Sequence, residues 1–154
     1  MRLRVLGERA LAEAFQTRCA LEGFAVQCAA RAQSEGLLLP AHLREVEHLA
    51  VACDKATRSS GAAADRVFHL ALAALAGNSQ IDSLLTVIWD QTPIATRAGL
   101  TEPPRINSVH HEHEDILSAL RAGGSGRTRG AVEAHIGQTE QTIHVEPDET
   151  KEYA

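Results

Sequence analysis

Apolar residues recur at spacings of three and four along almost the whole chain, and no stretch alternates apolar with polar residues for the length of a strand. The pattern therefore predicts helices alone. The first runs from about Glu8 to Arg31, is rich in alanine, and is broken by Gly36. Pro40 suits the first turn of a second helix, on which Leu43, Val46, Ala50 and Cys53 share a face. A loop at Ser59-Ser60-Gly61 leads to a third helix over about Asp65 to Ala76, for which Gly77-Asn78 is a fitting C-terminal cap. The fourth begins near Ser79, with Ile81, Leu84, Leu85 and Ile88 as its buried stripe, and Pro93 should kink or divide it. Pro103-Pro104 opens a fifth helix that lasts to about Ala122. Residues 123–126 read GGSG and are expected to be a flexible break before a last helix from about Thr128 to Ile143. Six or seven helices joined by short loops make an all-α antiparallel bundle.

Composition narrows the class. A length of 154 residues is about one domain, and 44% hydrophobic with 23% charged residues is a globular balance. No apolar run approaches the roughly 20 residues of a membrane span, and the opening MRLRVLGERA lacks the apolar core of a signal peptide. A cytoplasmic protein without a membrane partner is expected. Three cysteines with no CxxC argue against a disulfide framework or a zinc ribbon. A net charge of −5 argues against gripping phosphate backbones unaided. The tail of residues 144–154 is acidic, contains proline and is expected to be disordered.

The eight histidines change the picture, since the chain has only three Phe, one Trp and one Tyr. Stepping by three and four from Ile106 gives Val109, His113, Ile116 and Leu120, which places His113 in the apolar stripe of the fifth helix. His135 lies within the stripe of Val132, Ile136 and Ile143. In the third helix Phe68, Leu72 and Leu75 form the stripe, with Asp65 and His69 one turn apart along its edge. A core imidazole bonded to a backbone carbonyl would explain any one of these histidines. An ionised aspartate on an inward face is costlier and needs a partner. One divalent cation would satisfy Asp65, His69, His113 and His135 together. The donor set suits zinc first, with nickel, iron or manganese as alternatives. The pattern alone leaves both readings open. His42, His48 and His111 face outward on the same reckoning, His144 falls at a helix end, and His110 stands one turn from Ile106.

Catalytic patterns fail on inspection. His111-Glu112 begins an HExxH, but Asp115 holds its fifth position. Glu45 and His48 have di-iron spacing in one copy where two are required. No GxSxG and no GxxxxGK[ST] occurs.

Four segments carry a resemblance to a known family. Residues 65–78 (DRVFHLALAALAGN) look like a D-x-x-FH-x-x-L…GN signature. Residues 112–123 (EHEDILSALRAG) are similar to EH-x-x-IL-x-AI-x-x-G, and residues 131–136 (AVEAHI) to A-x-x-x-H-[LI]. Residues 18–32 (RCALEGFAVQCAARA) look like an opening R-x-x-LE…AA helix. In this order they resemble the C-terminal effector-binding domain, the FCD domain, of GntR-type bacterial transcription regulators of the FadR-like branch. The likeness runs from about residue 5 to residue 140.

The resemblance implies a bundle around a central ligand and metal cavity over residues 1–143, and a homodimer. It implies a divalent ion on one aspartate and three histidines, which fall here on Asp65, His69, His113 and His135. It implies no catalysis, but the sensing of a small organic acid anchored by the metal, with Arg18 and His110 as the candidate effector contacts. Arg18 would grip a carboxylate with its planar fork, or else pair with Glu22 one turn on as surface support. DNA would be bound only through a winged helix-turn-helix, which family members carry ahead of this domain and which this sequence lacks. The alternatives are a small metal-dependent hydrolase-like enzyme on the same bundle, or a stand-alone metal- and ligand-binding protein.

Overall fold

The computed structural model describes residues 7–56, 60–92 and 103–142, with side chains from residue 108 in the last segment. Six helices occupy them: α1 (Glu8–Ser34), α2 (Pro40–Asp54), α3 (Gly61–Ala74), α4 (Ser79–Gln91), α5 (Pro103–Arg121) and α6 (Ser125–Thr142). No strand occurs among the described residues. The fold is an all-α bundle.

At 1.5 Å per residue the 27 residues of α1 span roughly 40 Å, long enough to touch most of the bundle. It packs most extensively on α6 and also meets α3, α4 and α5, while α2 lies against α3 and α5. Gly23 faces α6, where a Cβ would meet the tip of the Glu133 side chain at 3.2 Å. The main core joins Phe15, Val26, Val46, Phe68, Leu72, Ile116, Leu120, Val132 and Ile136 from five helices. A smaller core of Ala25, Ala73, Ile81, Leu85 and Trp89 closes α4 onto α1 and α3.

Local chemistry sets the ends. Pro40 opens α2 where its missing N–H costs nothing. Gly77 takes φ 66° after α3, and Asn78 caps α4 by accepting from the backbone N–H groups of Gln80 (3.1 Å) and Ile81 (3.3 Å).

Three expectations change. Residues 123–126 are no flexible break: α6 already starts at Ser125, and the turn is closed by Gly123 N to Leu120 O (2.9 Å) and Gly124 N to Ala119 O (3.1 Å). Helix α3 starts at Gly61, ahead of Asp65, because Gly61-Ala-Ala-Ala continues the same backbone. Leu84 is exposed and Trp89 occupies the buried side of α4, since the face toward α1 and α3 runs through residues 81, 85 and 89. Pro93, the side chain of Ile106, Ile143 and the tail lie outside the described residues. No helix among the described residues is long and apolar enough to cross a membrane.

Candidate metal centre

Asp65 and His69 sit one turn apart on α3, at the end of the stripe that carries Phe68 and Leu72 into the core. His113 comes from α5, between Val109 and Ile116, and His135 from α6, between Val132 and Ile136. All four side chains are buried, and one ligand atom from each lies within 4.8 Å of the others. His69 Nε2 is 2.9 Å from His135 Nε2 and 3.6 Å from Asp65 Oδ1, and His113 Nε2 is 3.2 Å from the same oxygen. Four donors at roughly 2.0–2.1 Å from one ion stand roughly 3–3.5 Å apart, close to the separations of 2.9, 3.2 and 3.6 Å in this group.

The polar accounting points the same way. His113 Nδ1 is buried without a hydrogen-bond partner, and Asp65 Oδ1 is met by imidazole nitrogens, His113 Nε2 at 3.2 Å and His69 Nε2 at 3.6 Å. Buried groups are almost always satisfied, so an orphaned ring nitrogen and a carboxylate oxygen crowded by imidazoles need an explanation. The two remaining histidines are tethered by carboxylates on their outer nitrogens. His69 Nδ1 lies 2.7 Å from Glu22 Oε2, and His135 Nδ1 lies 2.6 Å from Glu112 Oε2. If both Nδ1 atoms donate to carboxylates, the two Nε2 atoms face one another with lone pairs at 2.9 Å. Such a pair needs a positive charge between its members, either a proton or a metal ion.

The electrostatics agree. Burial alone would raise the Asp65 carboxyl, but His69 and the hydrogen bond with His113 hold it well below the usual carboxylate range. Burial lowers His135 to about 4, with His69 and His113 pushing the same way against its bond to Glu112, so it is a neutral imidazole at pH 7. Burial opposes ionisation of Glu22, yet Arg18 and His69 bring it down to about 2. A neutral imidazole tethered at Nδ1, and an ionised carboxylate, are the protonation states that a divalent cation binds. The group of Asp65, His69, His113 and His135 can hold a metal ion.

The remaining residues singled out in the sequence stand outside the four. Arg18 is fully buried, with Nε donating to Glu22 Oε1 at 2.7 Å and its guanidinium carbon 3.7 Å from the centroid of the Trp89 ring. The Arg18–Glu22 pair therefore exists, but inside the bundle rather than on its surface. His110 is exposed and pairs with Asp54 at 2.7 Å, on the side where α5 meets α2. Glu22 and Glu112 were not singled out for this site. Glu22 left a signal, a second charge on the line Leu11, Phe15, Arg18, Glu22 of an otherwise apolar face. Glu112 left none, because its partner His135 is 23 residues away on another helix.

Comparison with known proteins places this geometry in context. The family model of the FCD domain matches residues 13–138. The solved structure of E. coli McbR/YncC is similar in fold, with a TM-score of 0.73 at 20% sequence identity, covering 87% of this chain and 67% of that one. No match is found among curated proteins.

Proposed function

The chain belongs to the FCD domain family, and we propose that within it this domain senses a small organic acid through a divalent metal ion, most fittingly zinc, held by Asp65, His69, His113 and His135. One observation carries the reading: four buried donors from three helices converge, with one ligand atom from each within 4.8 Å of the others. A metal ion bound there supplies Lewis acidity and coordination positions for the oxygens of an acid. The chain's own part is to keep the imidazoles neutral and aimed inward, through Glu22 on His69 and Glu112 on His135. Arg18 offers a buried guanidinium to the carboxylate of the acid, beside the edge of the cluster formed by His69 and Trp89.

Asp65 and His69 belong to α3, His113 to α5 and His135 to α6, so a ligand at the centre acts on three helices at once. Differential affinity for two packings of those helices is what an allosteric sensor requires. In a GntR-type regulator the change would reach paired DNA-binding domains. The domain acts as a homodimer, to be tested by light scattering for twice the 16.5 kDa of one chain.

Metal analysis of protein purified without an affinity tag tests the centre. About one metal per chain is expected, together with acid binding that is lost on stripping and restored by zinc in titration calorimetry. Less than about one tenth of a metal per chain, with stability unchanged in chelator, sinks the proposal.

A further inference from the structure

The four candidate ligands come from α3, α5 and α6, and α1 contributes none of them. Helix α1 nevertheless presses one carboxylate against the cluster. Glu22 is 1% exposed and uses both oxygens, Oε1 accepting from Arg18 Nε and Oε2 lying 2.7 Å from His69 Nδ1. Arg18, also 1% exposed, has its guanidinium carbon over the Trp89 ring, 3.7 Å from the centroid. Two charges have thus been taken out of water next to a metal-ligating imidazole. A buried ion pair is a weak source of stability, because desolvation offsets most of its attraction. Its position relative to His69 is the more informative fact.

An arginine Nε–H can only donate, and burying its charge beside Glu22 calls for a carboxylate there. Oε2 then accepts as well, which puts the proton of His69 on Nδ1. Its Nε2 keeps a lone pair directed at Asp65 Oδ1 and His135 Nε2. We propose that Glu22, pinned by Arg18, is a positioning residue of the metal centre that fixes the tautomer and aim of His69. Arg18 acts on the metal through Glu22 even when no acid is present. The inference rests on the metal-binding function proposed above. Glutamine at this position has one acceptor oxygen where two donors need one, so either Arg18 Nε or His69 Nδ1 loses its partner. An amide N–H facing Nδ1 would drive the imidazole proton to Nε2, where it blocks ligation.

The test uses the full chain without any organic acid. Zinc affinity is measured by competition with a chromogenic chelator, and the visible spectrum of the cobalt(II) form is recorded for the wild type and Glu22→Gln. The expected result is zinc binding weaker by about 10- to 100-fold and a displaced cobalt spectrum, with helical content retained. Affinity within twofold of wild type and an unchanged cobalt spectrum overturn the proposal. A second measurement needs no variant: long-range proton–nitrogen correlation spectra of the zinc-loaded wild type. Ligation of His69 through Nε2 with its proton on Nδ1 supports the assignment, and ligation through Nδ1 overturns it. Should the wild type bind no zinc, the metal function itself fails. The metal-free spectra then still decide the role of Glu22, a proton on Nδ1 of His69 supporting it and one on Nε2 alone overturning it.

Discussion

Phe68 is fully buried, with its ring centroid 4.3 Å from that of His113 and 5.3 Å from that of His69. It is the apolar surface against which two of the four candidate ligands are packed. Phe68→Ala should cost about 3–5 kcal/mol in urea unfolding, the range for emptying a buried aromatic position. A loss below about 1 kcal/mol would mean that the neighbouring rings are not packed as described. Cys53 invites a different test. Burial, with Asp65 and Asp54 adding to it, pushes its thiol up to about 12. At pH 8 the reactive thiolate is then only about one part in ten thousand, so iodoacetamide should modify Cys53 at least about a hundredfold more slowly than free glutathione. Peptide mass spectrometry over a time course reads the rate, and labelling at the rate of the free thiol would contradict the burial of this sulfur.

Each helix end contributes separately from the core. Asn78 accepts from two backbone N–H groups at the start of α4, and Asn78→Ala should lower stability by about 1 kcal/mol, with the loss seen in the denaturation midpoint. Gly123 is stricter, because its φ of 68° and a Cβ position 2.7 Å from Ser34 Cβ both exclude a side chain. Gly123→Ala should cost more than about 1 kcal/mol, whereas Gly126→Ala, with open space around it, should be nearly neutral. The two glycines stand in the same GGSG, and the contrast shows where sequence reading stops. Glycine predicts a break in the helix. Whether the break is loose or packed depends on Ser34, 89 positions away. The same boundary runs through the candidate metal centre. Asp65, His69, His113 and His135 were legible because each lies on, or one turn along, an apolar stripe of its own helix. Glu112 was not legible, because its contact crosses from α5 to α6 and shares no helical period with His135. Leu84 was misplaced for a related reason: its spacing fits a stripe, but which side of α4 faces inward is decided by Trp89 against α1 and α3.

For the molecule as a whole, the candidate centre would join α3, α5 and α6 through its four donors and α1 through Glu22, while α2 and α4 contribute none of these groups. Without a cation, three imidazoles and a carboxylate stay buried together, and the unpaired Nδ1 of His113 alone should cost the fold about 1–3 kcal/mol. With a cation, one donor atom from each of the four residues ties α3, α5 and α6 together. A metal that binds the folded chain alone adds about 2.7–4.1 kcal/mol when its free concentration is 100 to 1,000 times its Kd. For a chain of this size about 1 kcal/mol moves the melting temperature by roughly 2–4 °C. Stripping the protein with chelator should therefore lower its calorimetric melting temperature by roughly 5–15 °C, and stoichiometric zinc should restore it. The shift belongs to the centre only if it disappears with a ligand, so zinc added to metal-free His135→Ala should move the transition far less than in the wild type. An equal shift in the variant would assign the effect to zinc on surface histidines such as His42 or His111 instead.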